Sequence, residues 1–537
     1  MRILAGNRGP ALLVLGLILT SVEADAQEKP KASAPAAHKQ KCCSPKRGEP
    51  LKAKARFAAR VESLLSTAPA DKAGWGILVV DAETGETIYA LNADKYFIPA
   101  SNLKLFTTAL ALAKLGKDFR FRTTLETLGT LSADGKLTGD LVLTGRGDPN
   151  LSNRRFPYEL KEEFDGPPEK ALSELADAVA ANGVTEISGD VIADDSYFPR
   201  ERYPPGWEVD DMVWSYGAAV SAIVVNDNTV TLTLAPGEKA GDAATFSVAP
   251  WTAEFTVRAD VVTAPGGVKP DLTLTREPGA PVVILRGTIP AKSEPRKLVL
   301  AIEEPADHAA ALLKRLLEGR GIKVGGTFRA RHEPAEQAGG STVLAEHLSV
   351  PLSEAVKMTN KTSRNLHAEM MLRAAARQNG RWNTAEDLAK FAAGFYAEAG
   401  IAPGDVQQAD GSGLSRSDLI TPRAAVTILQ YAMRQPWFDD YFLSLPVAGV
   451  DGTLADRMKE TPAASRIRAK SGSVEHVRTL SGYAELTDGK RLIFSILSNN
   501  QGARNHEATA AIDALCIAII EELGQAAPAG VSREHKH

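Results

Sequence analysis

Apolar residues recur along this chain with two periods, and the period changes twice. From Phe57 the spacing of FAARVESLLST is helical. GILVVDAETGETIYALNADKYFIPAS then reads as a hairpin, ILVVD and TIYALN around Glu83-Thr84-Gly85-Glu86. Ser101 to Leu115 (SNLKLFTTALALAKL) predicts an amphipathic helix with Leu103, Phe106, Leu110 and Ala113 along one side. Between about 121 and 340 the period shortens to two. KLTGDLVLTG, EISGDVIADDSYF, NTVTLTLAP, PVVILRGTI and RKLVLAI predict short strands, and only Lys170 to Ala181 and His308 to Glu318 are helical in spacing. Past about 341 helices return in HLSVPLSEAVKMTNKTSRNLHAEMMLRAAARQ and NTAEDLAKFAAGFYAEAG. RIRAKSGSV, VRTLSGYAELT and RLIFSILSNN predict three antiparallel strands with Asp488-Gly489 at the last turn, and His506 to Leu523 predicts a closing helix. The α/β texture before 120 resumes after 340. This predicts one discontinuous α/β (α+β) domain, 57–120 plus 341–525, with an antiparallel sheet and helices, interrupted by a long, mainly β insertion at 121–340.

The two ends read differently. Arg2 and Arg8 precede the apolar run Ala11 to Thr20, and Ala24-Asp25-Ala26 follows. That is the layout of a secretory signal peptide over 1–26, with a run too short to anchor stably in a bilayer; an uncleaved anchor is the alternative. The mature protein is therefore expected beyond the inner membrane, in the periplasm or cell envelope. Residues 27–56 hold nine Lys or Arg against two Glu, without apolar periodicity, which predicts a disordered basic tether. Its charge suits peripheral contact with anionic lipid or wall polymer, or merely solvation. Cys42 and Cys43 within it read as exposed thiols or an intermolecular bridge, and Cys516 as a buried apolar residue. A short tail, 526–537, is also expected to be disordered. The chain is 537 residues long and 44% hydrophobic, enough for more than one domain, with too few cysteines (three) to staple them. Its net charge of −4 argues against a nucleic-acid binder. That figure averages a leader of +7 with a body of −11 from Phe57 onward, because the signal segment is neutral.

Common catalytic signatures are missing: there is no G-x-S-x-G, P-loop or H-E-x-x-H, and the histidines are scattered, so neither a metal nor an organic cofactor is expected. What remains is an ordered set. Ser101 and Lys104 form the only S-x-x-K; Ser363-Arg364-Asn365 is an S-x-N, as is Ser498-Asn499-Asn500; Lys470-Ser471-Gly472 is a K-[ST]-G. Each motif alone is weak, with capping, turn or surface readings beside it. In this order they are the set of serine penicillin-binding enzymes and β-lactamases. A serine at a helix start with a lysine one turn on can serve as nucleophile and base. Two lysines near one serine depress each other's pKa. Ser363 can relay a proton and Asn365 can hold Lys104 and a substrate amide. Lys470 and Ser471 suit a carboxylate, and Gly472 admits a substrate backbone beside the strand. The N–H groups of Ser101 and Ser473 can form an oxyanion hole.

Beyond these motifs the chain resembles the low-molecular-mass class C penicillin-binding proteins, the D-alanyl-D-alanine carboxypeptidase/endopeptidases of serine-peptidase family S13. The similar stretches are FIPASNLKLFTTA, LTGDLVLTGRGDPNL, ISGDVIADDSYF, PPGWEVDD, DGSGLSRSDLITP, LPVAGVDGTLADRM and AKSGSVEHVRTLSGY, in family order from about residue 60 to 524. The resemblance implies a β-lactamase/transpeptidase-like catalytic domain. It also explains why 262 positions separate Ser101 from Ser363: β-rich domains, one nested in the other, are inserted after the S-x-x-K helix. The implied reaction is acylation of Ser101 by peptidoglycan stem peptides and cross-links, then hydrolysis, with β-lactams acylating the same serine. A catalytically weak wall-binding protein, or a β-lactamase or esterase on the same fold, are the alternatives. Asp194, or its neighbour Asp195, matches a family aspartate that meets the stem peptide's amino group, and Arg416 an arginine that meets its carboxylate. Two departures stand out: Arg364 where Asp is common, and Ser471 where Thr is common. Arg364 is expected to add positive charge beside the lysines. Oligomeric state is left open.

Overall fold

Alternation along the strands sorts apolar side chains onto two faces of one sheet. In the strand Gly74–Asp81, Ile77 and Val79 join one buried cluster while Leu78 and Val80 join another. The strand Arg491–Asn499 divides the same way, Leu492, Phe494 and Ile496 against Ile493 and Leu497. Both strands therefore need cover on both sides. The computed structural model describes residues 50–334, 340–380, 382–502 and 505–524, and that cover is helical on each side. The helices Pro50–Leu65 and Asn505–Leu523 supply Phe57, Val61, Ile512, Leu515 and Ile519 to one cluster. The helices Lys104–Leu115 and Pro422–Ala432 supply Phe106, Leu110, Ile428 and Leu429 to the other. The sheet is antiparallel throughout, in the order Thr87–Leu91, Gly74–Asp81, Arg491–Asn499, Val477–Glu485, Ile467–Val474. Its last strand is an edge, and that edge carries Lys470-Ser471-Gly472. Cys516 is buried and unpaired in the terminal helix.

The period-two stretch builds separate sheets. A five-stranded mixed sheet runs Phe328–Arg331, Val191–Asp194, Leu141–Thr144, Arg122–Thr127, Thr342–Leu348. The helices Lys170–Ala181 and Pro305–Glu318 bury Leu172, Leu175, Leu312 and Leu313 with this sheet's Leu125, Leu143 and Val191. Two three-stranded sheets, one centred on Thr229–Ala235 and the other on Val282–Pro290, share a smaller core of Val230, Leu232, Val283 and Leu285. The strand Thr342–Leu348 pairs antiparallel with Arg122–Thr127, so β-structure extends to Leu348 rather than 340.

Two local expectations change. The first helix begins at Pro50, not Phe57, because its early turns carry polar contacts rather than apolar ones: Lys54 meets Glu86 at 2.5 Å and Arg56 meets Glu522 at 2.9 Å. Residues 50–56, expected within the disordered tether 27–56, are therefore helical; the rest of that tether with Cys42 and Cys43, the signal segment and the tail lie outside the described residues. The helix after Ser101 is not amphipathic in place. Every residue from Lys104 to Leu112 is buried, because other helices and Trp207, Val220 and Val224 of the inserted stretch cover its remaining sides. The helical stretch after 347 divides into Leu352–Thr362 and Asn365–Gln378 where Ser363 turns left-handed. Among the described residues no helix is long and apolar enough to cross a membrane.

The helix that delivers Ser363 is held from inside. Lys361, 2% exposed at its side chain, donates to Asp451 Oδ2 at 2.5 Å and to the Leu445 carbonyl at 2.7 Å. Removing the carboxylate strands a buried ammonium. Asp451→Ala is expected to lose about 3 kcal/mol of stability, read as a lower thermal midpoint. An unchanged midpoint would mean that water replaces the carboxylate.

Candidate active site

Ser101 stands on a strained turn. Ala100, before it, is fully buried with φ of 47°, a conformation uncommon for a side-chain-bearing residue. Ser101 itself lies in a 3₁₀ turn, Ala100–Leu103, and Lys104 opens the α-helix that follows. The Lys104 Nζ lies 3.0 Å from Ser101 Oγ, 2.7 Å from Asn365 Oδ1 and 2.7 Å from the Ser412 carbonyl. Across the cleft, Lys470 Nζ donates to Ser363 Oγ at 2.9 Å and to the Ser471 carbonyl at 2.9 Å. Ser471 Oγ lies 2.7 Å from Thr453 Oγ1. Asn102 ties the nucleophile's turn to the edge strand, donating to Lys470 O at 2.9 Å and Thr479 Oγ1 at 2.7 Å. The second S-x-N, at Ser498, serves the sheet instead: its hydroxyl donates to Gly74 O at 3.2 Å.

Burial dominates the electrostatics. It lowers the Lys104 amine to about 7, against the opposing pull of Asp410, Glu369 and Asp418. Burial, then the charge of Lys104, holds Lys470 well below the ordinary lysine value. Desolvation, more than mutual repulsion, is thus what depresses the lysines. Burial also raises Glu369, behind them, to about 8. Glu369 accepts the Gly411 N–H at 2.5 Å, while Asp410 accepts N–H groups from Ser412, Gly413, Leu414 and Ser415. These carboxylates shape the loop whose Ser412 carbonyl meets Lys104. Sequence reasoning missed Asp410, Ser412 and Glu369 as parts of the site. The first two lie in DGSGLSR, which was itself visible as a family-like stretch; nothing in the local sequence marks Glu369.

The cleft, about 690 Å³, is lined by Ser101, Ser363, Asn365, Ser473 and Arg416 among others. Arg416 is in the cleft lining, donating to the Glu475 carbonyl at 2.7 Å and pairing with Glu208 at 3.2 Å. Asp194 does not reach the cleft. It ends the strand Val191–Asp194, where its carboxylate accepts from Ser196 Oγ at 2.6 Å and Arg331 at 3.3 Å. Asp195 is likewise engaged, by Ser221 and His332 at 2.8 Å each. The acids that line the cleft are Glu208, Asp210 and Asp211, from PPGWEVDD, beside Tyr216, and Glu475 after the third motif. Asp211 hydrogen-bonds the Tyr216 side chain. Arg364 also departs from expectation: its guanidinium points away from the lysines, onto Glu162 at 2.6 Å. A larger cavity of about 910 Å³, lined in part by Glu254, Arg276 and Glu303, holds none of the motif residues.

A sheet with these motifs on its edge and on its covering helices defines a class, the penicillin-recognising fold. The structure is similar to that of penicillin binding protein 4 (DacB) from Haemophilus influenzae, with a TM-score of 0.74 and 25% identity over 87% of this chain and 99% of that one. The chain belongs to the D-Ala-D-Ala carboxypeptidase 3 (S13) family, which matches residues 57–518. It is 34% identical to a D-alanyl-D-alanine carboxypeptidase of Actinomadura sp. (strain R39), across 88% of this chain and 85% of that protein. It is 28% identical to penicillin-sensitive carboxypeptidase A of Dictyostelium discoideum, across 82% and 86%.

Gly472 joins the two halves of the site. A Cβ there would lie 2.1 Å from Thr479 Oγ1, 2.7 Å from Pro99 O and 3.0 Å from Ser101 N. Thr479 Oγ1 already donates to Pro99 O at 2.8 Å, so neither can yield without moving the turn that presents Ser101. Gly472→Ala is expected to cost about 1–3 kcal/mol in urea unfolding. Gly394→Ala, in the open helix Ala385–Glu398, is expected to be neutral or stabilising.

Proposed function

We propose that this chain is a serine D-Ala-D-Ala carboxypeptidase that also cleaves peptidoglycan cross-links, through an acyl-enzyme on Ser101. One observation carries the reading: a buried amine brought to about 7 stands 3.0 Å from the hydroxyl of Ser101, in a chain of the S13 family. As a neutral amine, Lys104 donates its two hydrogens to Asn365 and Ser412 and accepts the serine proton with its lone pair. Ser101 Oγ then attacks the penultimate D-Ala carbonyl. The C–N bond breaks; Ser363 passes its hydroxyl proton to the departing amine and regains one from Lys470, which the proton that Lys104 took from Ser101 replaces. Water hydrolyses the ester and the serine recovers its proton. The N–H groups of Ser101 and Ser473 are the oxyanion donors in this scheme. Asn365 steadies Lys104 and the substrate amide.

Among the described residues no acid pairs with Lys470, and burial holds its amine well below the ordinary lysine value. A substrate carboxylate among Lys470, Ser471 and the Gly472 backbone would oppose that shift and favour the charged form. Arg416 serves a second carboxylate of the stem peptide. Asp210 and Asp211, rather than Asp194, offer the acidic wall for its amino group. The same serine takes β-lactams, in keeping with the name of the penicillin-sensitive relative. The domain plan follows from this reading: a catalytic domain in two pieces, interrupted by β-rich insertions whose 208–216 loop forms one side of the cleft. The substrate places the mature protein in the periplasm or cell envelope.

Purified protein incubated with a fluorescent penicillin and with cross-linked muropeptides is expected to label covalently and to release D-Ala, and Ser101→Ala to do neither. A parent that neither labels nor cleaves would leave a binding protein, and rapid penicillin turnover without cleavage would make it a β-lactamase. A second test concerns pH. Below its pKa Lys104 holds the proton and cannot accept another, so acylation is expected to rise with pH through about 7 and level off above. A rate that falls over the same range would make the protonated lysine the working form.

A further inference from the structure

The left-handed backbone of Ser363 needs a cause. Its φ of 61° and ψ of 38° end the helix Leu352–Thr362 in a conformation that glycine or asparagine adopts far more readily. This turn re-aims the hydroxyl at Lys470 Nζ. Such strain persists only where the surroundings over-determine it.

The next residue supplies the restraint. Arg364 donates to Glu162 Oε2 at 2.6 Å and lies 3.5 Å from Asp227 Oδ2. Arg154, 4% exposed at its side chain, bridges the same two acids, donating to Glu162 Oε1 at 2.9 Å and to both oxygens of Asp227. His367, wholly buried, meets Asp227 Oδ1 at 2.8 Å from the helix that Asn365 opens. Arg154, Glu162 and Asp227 belong to the inserted stretch; Arg364 and His367 belong to the motif segment. The inserted side is strained as well. Asn226, Asp227 and Asn228 have φ of 49°, 56° and 53°, three successive left-handed residues that present the Asp227 carboxylate. Asn365 makes one more link across, its Nδ2 donating to the Tyr216 carbonyl at 2.8 Å.

We propose that Arg364 is a positioning residue: through Glu162 and Asp227 it locks Ser363 in the left-handed turn that holds its hydroxyl against Lys470. The inserted stretch thereby sets the geometry of the proton relay from outside the cleft. Arg364 touches neither Lys104 nor Lys470 and needs no contact with substrate. This rests on the reaction proposed above.

The test uses the full mature protein, with active sites counted by penicillin titration so that an unfolded fraction does not pass for a slow enzyme. Arg364→Ala is expected to acylate about tenfold more slowly or worse, with KM for a D-Ala-D-Ala peptide within about threefold of wild type. Glu162→Gln, a milder change that keeps shape, is expected to slow acylation in the same direction. The double variant is expected to be no slower than Arg364→Ala alone, because one link is cut twice. Arg364→Lys keeps a cation near Glu162 and is expected to recover part of the lost rate. The proposal is overturned if Arg364→Ala acylates within about twofold of wild type per titrated site, if the two losses multiply, or if lysine is no better than alanine. A wild-type protein that never labels sinks the reaction itself and this proposal with it. A wild type that labels, beside variants that match it, sinks only this proposal.

Discussion

Everything in the cleft is arranged around the burial of one amine. Lys104 has no exposed surface, and its Nζ reaches Ser101, Asn365 and the Ser412 carbonyl together. A lysine can be held so only if several elements close on it. Asn365 and Ser412 are 261 and 308 positions away along the chain. The helix Lys104–Leu115 must therefore be enclosed on every side, and that enclosure is what brings the amine to about 7 against the pull of Asp410, Glu369 and Asp418. Among the described residues the same closure leaves Lys470 without an ionic partner, 2.9 Å from Ser363.

The inserted stretch takes part in that closure. Trp207, Val220 and Val224 pack into the helical core, and Trp207 Nε1 donates to Asp410 at 2.8 Å, the carboxylate that gathers the Ser412–Ser415 backbone. Asn365 is held by Lys104 on one side and by the Tyr216 carbonyl on the other. Glu208, Asp210 and Asp211 bring acidic side chains from the inserted stretch to the cleft.

Left-handed backbone occurs in several turns of the protein, and two of those turns present motif residues. Ala100 precedes Ser101, and Ser363 ends a helix two residues short of Asn365. Gly472 leaves room for the Ser101 turn beside the edge strand, and Gly413, at φ of 80°, would place a Cβ 1.9 Å from the Ala100 carbonyl. Packing on several sides holds these turns; local sequence preference does not.

The sequence by itself determined the strands and helices of the central sheet, since Ile77, Leu78, Val79 and Val80 alternate between two apolar faces, and that pattern is local. It also determined the ordered motifs, because Ser101 and Lys104 need only one helical turn to meet. Tertiary structure alone decided the rest. Asp194 and Asp211 are both acidic residues in family-like stretches, and nothing local separates them; one is spent on Ser196 and Arg331, the other opens to the cleft. Arg364 reads as a charge beside two lysines until Glu162 and Asp227, brought from the inserted stretch, turn it away. Sequence spacing specifies which side chains share a strand face or a helical turn. Which buried charge meets which partner is set by long-range packing, where the cost of leaving a charge unpaired selects among contacts that no local pattern encodes.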